Sequence, residues 1–155
     1  MEASALKSAA AMLNEKDSRF VSIVDDDIDI TDLFHEALCE NIQGISVVAF
    51  NDPIIAFEHF TENKDRYALM ISDFRMPGLN GLELLKKVKG ANHIVRTILT
   101  TAYNYDEDEL FQKYIKEGVI DSTIEKPVTL IRLCQRVREE FQKYELAIQK
   151  VYPRN

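Results

Sequence analysis

Short apolar runs alternate with amphipathic segments along the chain from Phe20 onward. Five of these runs are short and mostly rich in β-branched residues, and they predict strands over residues 20–24, 45–50, 67–72, 95–102 and 119–124. The segments between and after them repeat apolar residues at helical spacing and predict five helices, the last of which starts near Val128. Strands that alternate with helices form parallel βαβ units, so the pattern predicts one doubly wound sheet with helices on both faces.

Turn and cap residues set several of the predicted boundaries. Asp52 and Pro53 provide an N-cap and a proline at the first helical position, for a helix that continues to about Asn63. Residues 76–81, MPGLNG, have turn chemistry, and Gly118 is a C-terminal cap glycine for the helix predicted over residues 106–117. These signals agree with the elements predicted from the apolar pattern.

The composition is that of one globular domain without a nucleic-acid or membrane surface. The chain has 155 residues, of which 46% are hydrophobic and 29% charged, so it is long enough to bury a core. Its net charge of −7 and its scattered arginines argue against direct contact with nucleic acid. No apolar run approaches membrane-spanning length, and the acid at position 2 together with Lys7-Ser8 argues against a signal peptide.

The cysteines and the chain ends add to these expectations. Cys39 and Cys134 lie in apolar-periodic stretches and match no metal-ligand spacing, so we expect reduced core residues of a cytoplasmic protein. Residues 1–18 are alanine-rich and polar by turns and predict an extension that is helical or disordered. We expect the folded domain within residues 19–143, with residues 144–155 extending the last helix into a tail.

Polar residues gather at the predicted carboxyl ends of four strands, where ligands bind in open parallel sheets. Strand one ends at Asp25-Asp26-Asp27 and strand three at Asp73, strand four ends at Thr100-Thr101, and strand five runs into Glu125-Lys126-Pro127. Each group alone has an ordinary structural explanation, such as a helix cap, strand propensity or a solvated lysine. Together they place carboxylates, a hydroxyl and an ammonium group on one rim of the sheet.

This combination of groups favours phosphoryl chemistry with a divalent cation. Converging carboxylates repel one another, so they need either a raised pKa or a cation. One or two carboxylates with water and a phosphate oxygen suit Mg²⁺ better than Ca²⁺. A lysine and a threonine hydroxyl supply the positive charge and the hydrogen bond that a phosphoryl group needs, and a carboxylate can itself become an acyl phosphate.

Two other functions compete for the acid run VSIVDDDIDITDLFHE. Asp25, Asp27, Asp29 and Glu36 occupy positions one, three, five and twelve of an EF-hand loop, but position six is Ile30 rather than glycine and the preceding segment is strand-like. Asp25 and Asp27 also form the D-x-D of a haloacid-dehalogenase-type phosphatase. That family requires a second acidic pair after the lysine, which this chain lacks. Despite this mismatch, a haloacid-dehalogenase-like, Mg²⁺-dependent phosphohydrolase that uses Asp25 and Asp27 is kept as the alternative function.

Four stretches resemble the motifs of the two-component response-regulator receiver domain, in order and at roughly the expected spacing: VSIVDDD, LMISDFRMPGLNGLELL, ILTTAY and IEKP. The resemblance covers about residues 20–141. It implies the chemotaxis-receiver architecture, a flavodoxin-like five-stranded parallel sheet of order 2-1-3-4-5. It also implies a module that takes a phosphoryl group from a sensor histidine kinase or a phosphotransfer protein. Phosphorylation then switches the face formed by the fourth and fifth strand–helix units, the 4-5 face, for partner binding.

The same resemblance implies a ligand set for Mg²⁺, formed by Asp25, Asp26, Asp73 and the backbone carbonyl of Arg75. Asp26 is then the direct ligand of the acidic pair, and Asp25 acts through water. Asp73, in SDFRMPG, is also the phosphoacceptor. Asp27 is left as the cap of the helix that follows.

The remaining motif residues imply a switch. Thr101 is its hydroxyl, and Lys126 pairs with the phosphoryl group beside a Lys126–Pro127 bond that we expect to be cis. Receivers commonly carry an aromatic residue three positions before KP, and this chain has Thr123 there. Three tyrosines are candidates to replace it: Tyr103, Tyr105 and Tyr114. The alternative is an output without an aromatic switch.

The last helix carries a heptad seam of apolar residues: Leu130, Cys134, Val137, Phe141, Tyr144, Ile148 and Val151. We expect the first three to pack on the domain's own sheet and the rest to run past its end. Either the helix frays after about Lys143, or two copies, or this helix and a partner helix, pair along the seam. The sequence leaves both interpretations open.

Overall fold

A computed structural model of the chain describes residues 18–102 and 108–153. The strands are β1 (Arg19–Val24), β2 (Ile45–Phe50), β3 (Tyr67–Asp73), β4 (Arg96–Thr101) and β5 (Ser122–Glu125). The helices are α1 (Ile28–Asn41), α2 (Pro53–Asn63), α3 (Gly81–Ala91), α4 (Glu109–Lys116) and α5 (Leu130–Val151), with a 3₁₀ turn at Lys64–Arg66. Residues 1–17 of the predicted extension over residues 1–18 lie outside the described residues, as do the candidates Tyr103 and Tyr105.

The strands form one parallel sheet in the order β2-β1-β3-β4-β5. This confirms the predicted doubly wound, flavodoxin-like fold. All seven residues of β3 are buried, because this strand lies at the centre of the sheet with helices on both sides. Since all strands run in one direction, the carboxyl ends of β1, β3, β4 and β5 meet at the same rim.

Two apolar cores flank the sheet. Helices α2, α3 and α4 contribute Phe60, Leu85 and Phe111 to one core, and α1 and α5 contribute Leu38 and Val137 to the other. Neighbouring residues of β3 enter different cores, as expected when side chains alternate between the faces of a strand: Leu69 and Ile71 join α1 and α5, and Met70 joins the other three helices.

Each of these five helices begins at a side-chain cap. The caps are Asp27, Asp52, Asn80, Asp108 and Thr129, and each accepts a hydrogen bond from a backbone N–H of the first turn. The predicted Asp52-Pro53 start of α2 and its end at Asn63 are confirmed. Gly118 follows α4 with φ +77°, the left-handed conformation that favours glycine after a helix.

Strand β5 begins at Ser122, later than the predicted residue 119. Asp121 explains the difference, because its carboxylate accepts a hydrogen bond from the Thr97 backbone N–H at 2.9 Å. The same carboxylate forms ion pairs with Lys89 at 2.6 Å and with Arg96 at 3.5 Å. The Asp121 N–H still donates to the Thr97 carbonyl at 3.1 Å, but the acceptor of the Thr97 N–H is the carboxylate rather than a backbone carbonyl.

The last helix contradicts the expectation that the seam residues from Phe141 onward run past the end of the domain. Helix α5 continues to Val151, and Tyr144 is only 2% exposed within the core that α1 and α5 form. Phe141 and Ile148 pack against this core, and Glu140, itself buried, binds Arg96 at 2.7 Å. The middle of the seam is thus covered by the domain itself. Pairing of two copies along the seam stays a prediction, and it loses the exposed middle on which it was based.

The cysteines differ in their surroundings. Both are free; Cys134 is buried as predicted, but Cys39 is exposed on α1, beside His35. The expectation for Cys39 is wrong because its neighbour Leu38 is the residue that enters the core. Cys39, one position further along α1, points to a different side of the helix. No helix within the described parts of the chain is long and apolar enough to cross a bilayer.

Candidate functional site

Three carboxylates converge where β1 and β3 end. Oxygen atoms of Asp25, Asp26 and Asp73 all lie within 4.8 Å of one another, although Asp73 is 48 positions from Asp25 in the sequence. Asp25 and Asp73 are buried and Asp26 is exposed. They face a pocket of about 500 Å³ whose lining also includes Lys126. The trio was predicted as a rim cluster from the strand ends, and the structure brings it together.

The electrostatics of Asp25 are compatible with a site that could hold a cation. Burial, which removes water from the carboxylate, raises the pKa of Asp25 to about 6. The hydrogen bond from the Asp27 backbone N–H to Asp25 Oδ1, at 2.9 Å, lowers this pKa, while the nearby charge of Asp73 raises it again. A hard divalent cation between the three carboxylates would relieve this repulsion. All-oxygen ligands, few in number and open to water, fit Mg²⁺.

Lys126 supplies the positive charge of the site. Its Nζ lies 2.8 Å from Asp73 Oδ1. Burial lowers the pKa of Lys126, but the hydrogen bond and charge of Asp73, together with the charges of Asp25 and Asp26, outweigh it, so the pKa is raised overall. Lys126 therefore remains an ammonium group at neutral pH. The bond from Lys126 to Pro127 is cis, as predicted.

Thr101 is the last residue of β4 and is buried. The backbone N–H of Lys126 donates to the Thr101 carbonyl at 2.8 Å, and Thr101 and Glu125 are partners in the β4–β5 ladder. The hydroxyl-bearing residue and the lysine are thus held at the same end of adjacent strands. Thr123, at the position where an aromatic residue was expected, is half-buried in β5.

Tyr114, the only one of the three tyrosine candidates among the described residues, is buried. It lies on α4 in the core that α2, α3 and α4 share. The structure therefore places Tyr114 among packing residues.

The loop after β3 passes close under the start of α3. The Gly81 N–H donates to the Phe74 carbonyl at 2.7 Å, and a Cβ atom on Gly81 would overlap the Asp73 carbonyl oxygen. Only glycine allows this approach, so Gly81 is part of what fixes the end of β3. Arg75 is exposed in the same loop, with its guanidinium 5.8 Å from the Phe74 ring centroid. The role of its backbone carbonyl toward a metal stays a prediction.

Asp27 does not join the three carboxylates. Its Oδ1 accepts from the backbone N–H groups of Asp29 at 3.0 Å and Ile30 at 3.4 Å, which makes it the cap of α1. The phosphohydrolase alternative requires Asp27 as a catalytic acid and base, and this engagement gives it no support. The strand before the acid run likewise agrees with rejecting an EF-hand.

Sequence reasoning missed one residue that touches the acidic pair. Asn51 follows β2, and its Nδ2 donates to the Asp25 carbonyl at 2.9 Å. The available signal was its position, since Asn51 stands at the carboxyl end of a strand like the other rim residues. Asp52 and Pro53 already explain that stretch as the start of a helix, so the pattern gives Asn51 no separate role.

Comparison with known proteins identifies this arrangement. The profile of the family described as Response regulator receiver domain matches residues 21–138. The chain belongs to this family. The receiver is also 29% identical over 133 residues to sporulation initiation phosphotransferase F of Bacillus subtilis strain 168, covering 86% of this chain and 95% of that protein.

Another relative is a longer protein, of which the match covers only a part. The receiver is 30% identical over 116 residues to the transcriptional regulatory protein CpxR homolog of Haemophilus influenzae, covering 75% of this chain but only 47% of that protein. In structure it resembles a response regulator receiver domain protein from Clostridium thermocellum, with a TM-score of 0.73 and 22% identity over 83% of this chain and 98% of that one. This last likeness supports the fold. The receiver is a signalling module of two-component systems, a class that interacts with histidine kinases or phosphotransfer proteins.

Proposed function

We propose that this receiver accepts a phosphoryl group on Asp73 from the phosphohistidine of a sensor histidine kinase or a phosphotransfer protein, in a Mg²⁺-dependent reaction. The observation that carries the proposal is the position of Asp73. It lies 2.8 Å from the Lys126 ammonium group on one side and within 4.8 Å of the acidic pair on the other. A carboxylate between a fixed cation and a cation-binding pair is suited to attack phosphorus and to hold the product.

The reaction requires only groups that the site and the donor provide. A carboxylate oxygen of Asp73 attacks phosphorus, a P–O bond forms, and the P–N bond to the donor histidine breaks, so that the electron pair leaves with the imidazole nitrogen. Lys126 Nζ binds the phosphoryl oxygens and offsets their charge. Hydrolysis reverses the state: water attacks phosphorus, the P–O bond to Asp73 breaks, and inorganic phosphate leaves. The module thus promotes its own phosphorylation and dephosphorylation rather than turning over a free substrate.

Asp26, Asp73 and the Arg75 carbonyl would hold Mg²⁺ directly, with Asp25 acting through water. Mg²⁺ bound there supplies charge that stabilises the transferring phosphoryl group. Asp26 is exposed and Asp25 buried, which supports this division of roles, because a water-accessible carboxylate can meet a partly hydrated ion. Thr101 is the hydroxyl that engages the phosphoryl group and passes the change to the 4-5 face.

The test is phosphorylation of the purified chain with acetyl phosphate and Mg²⁺, followed by mapping of the label. We expect an acid-stable, hydroxylamine-sensitive label on the wild type that is absent from Asp73→Asn. The matched control is Asp27→Asn, because asparagine caps a helix about as well as aspartate and should leave the label unchanged. Full labelling of Asp73→Asn would show that another residue is the acceptor.

Lys126→Ala tests the second half of the proposal. We expect it to bind Mg²⁺ as the wild type does, since an ammonium group repels the ion rather than holding it. Phosphorylation, or the structural change that follows it, should be impaired. Tighter Mg²⁺ binding combined with unchanged phosphorylation would contradict the role given to Lys126.

A cytoplasmic location is also part of this proposal, and the two free cysteines agree with it.

A further inference from the structure

We propose that Asn51 is a positioning residue for the magnesium site, acting through the backbone of Asp25. This inference rests on the proposed function, since it assigns a residue to the metal site described there. Asn51 lies directly after β2, 26 positions from Asp25 in the sequence, and its hydrogen bond to Asp25 is to the backbone carbonyl rather than to the carboxylate. Its contacts are with the chain that connects β1 to α1.

The Asn51 side chain bridges two parts of that connection. One Nδ2 donates to the Asp25 carbonyl at 2.9 Å and also to Thr31 Oγ1 at 2.9 Å. An amide nitrogen carries two hydrogens, so both donors are used. Thr31, buried in the second turn of α1, donates its hydroxyl to the Ile28 carbonyl at 3.1 Å. Asn51 therefore joins the end of β2 to both the acidic pair and the helix that follows it.

The hydrogen bond to Asp25 acts at the peptide unit between the two acids. The Asp25 N–H donates to the Phe50 carbonyl at 3.1 Å, and the Asp25 carbonyl accepts from Asn51, so β2 holds this residue from both ends. The Asp25 carbonyl belongs to the same planar unit as the Asp26 N–H. Fixing that plane fixes the position of the Asp26 Cα atom, to which the carboxylate side chain is attached. Asp26 itself is exposed, and on its other side the Asp27 N–H donates to Asp25 Oδ1 at 2.9 Å.

Residues that hydrogen-bond to a metal ligand and orient it contribute to the affinity for the metal. Replacing a residue that orients a ligand typically weakens metal binding by about 10–100-fold. Asn51→Asp keeps the shape of the side chain but replaces the donor with an acceptor, which faces the Asp25 carbonyl. Asn51→Leu removes the donor without adding a charge. The control is Thr31→Val, which removes the other partner of Asn51 and keeps the bond to Asp25.

The experiment measures Mg²⁺ affinity and urea stability of the full chain for these variants, with the Asp26 amide resonance of the metal-free protein as a third readout. We expect Asn51→Leu and Asn51→Asp to bind Mg²⁺ at least about tenfold more weakly and to shift the Asp26 resonance. Thr31→Val should lose stability but keep its Mg²⁺ affinity within about twofold. The added negative charge of Asn51→Asp attracts cations, so weaker binding by that variant identifies geometry as the cause.

Three outcomes would overturn the inference. Affinity like the wild type in both Asn51 variants would show that the Asp25–Asp26 unit needs no support from β2. An equal loss of affinity in Thr31→Val would assign the effect to the placement of α1. A wild-type chain that bound no Mg²⁺ would overturn both this inference and the proposed function, whereas the first two outcomes leave the proposed function intact.

Discussion

The close contact between Gly81 and the end of β3 makes Gly81→Ala a sharp test of how the site is built. Gly81 is the first residue of α3, and its backbone lies against the carbonyl of Asp73, the proposed phosphoacceptor. An alanine Cβ there would overlap that carbonyl oxygen and would lie 2.8 Å from Leu99 Cδ1. The leucine can adjust its side chain, but the carbonyl is part of the backbone of the central strand. Either α3 or the end of β3 must move.

The expected cost follows from this overlap. Inserting a methyl group into a packed region typically destabilises a protein by about 1–3 kcal/mol. The total stability of a domain is only about 5–15 kcal/mol, so the loss is measurable, and it corresponds to a fall in Tm of several degrees, at about 2–4 °C per kcal/mol for a chain of this size. The displaced atom belongs to Asp73, so we also expect weaker Mg²⁺ binding and slower phosphorylation at temperatures where the variant is fully folded.

The matched control is Gly90→Ala in the same helix. A Cβ on Gly90 would meet nothing within 4 Å, and this glycine is exposed near the end of α3. Alanine is the better helix former, by roughly 0.5–1 kcal/mol, so Gly90→Ala should be neutral or slightly stabilising. Urea and thermal unfolding followed by circular dichroism compare the two variants, and Mg²⁺ titration by NMR completes the assay.

Two results would refute the reasoning. If Gly81→Ala were as stable as the wild type, the contact with the Asp73 carbonyl would not be as tight as the structure shows. If both variants lost the same stability, the effect would come from changing α3 in general rather than from the approach to β3. Loss of stability with unchanged Mg²⁺ affinity would limit the role of Gly81 to packing.

Three further predictions address the acidic pair and the last helix. Asp25→Asn should stabilise the Mg²⁺-free protein at pH 7.5 by up to about 3 kcal/mol and have little effect at pH 4. The pKa of Asp25 is raised to about 6 in the folded protein, from near 4 in the unfolded chain. The protonated carboxyl therefore supports folding fully below pH 4, and this support is lost as the pH rises through 6. Urea unfolding at the two pH values checks this, and an equal gain at both would contradict it. Asp26→Ala should weaken Mg²⁺ binding strongly, whereas Asp27→Ala should leave it unchanged and cost only a helix cap, about 0.5–2 kcal/mol; equal losses of affinity in an NMR titration would show that the assignment within the acid run is wrong. Tyr144→Ala should cost about 3–5 kcal/mol in urea unfolding because the ring is 2% exposed, while Val151→Ala, at a half-exposed position, should stay within about 0.5 kcal/mol; similar values would mean that the end of α5 is not packed.

Local sequence determined the order of elements and most of the rim. Strand and helix periodicity, the caps Asp27 and Asp52 and the glycine after α4 act within a few residues of themselves, so each can be recognised from its own neighbours. Parallel strands then force their carboxyl ends onto one edge. That is why the sequence predicts that Asp73 and Lys126, which are far apart along the chain, lie on one rim, and in the structure they are 2.8 Å apart.

The burial of the last helix was decided by tertiary structure. The heptad seam shows that one face of α5 is apolar, but periodicity does not say what covers that face. In the fold, the core that α1 and α5 share extends far enough to bury Tyr144, and the ion pair between Glu140 and Arg96 holds the helix against β4. Cys39 shows the same limit on a smaller scale, because a shift of one residue around α1 separates a buried position from an exposed one.

The contacts that hold the site together were also beyond the sequence. Asn51 reaches the Asp25 carbonyl from the neighbouring strand, and Gly81 meets the Asp73 carbonyl across a loop. Both contacts involve backbone carbonyls, which every residue possesses, so no residue type marks the acceptor. The charged side chains of the candidate site can be recognised in the sequence by their residue type and position. The residues that hold them in place can be recognised only from distances in the folded chain.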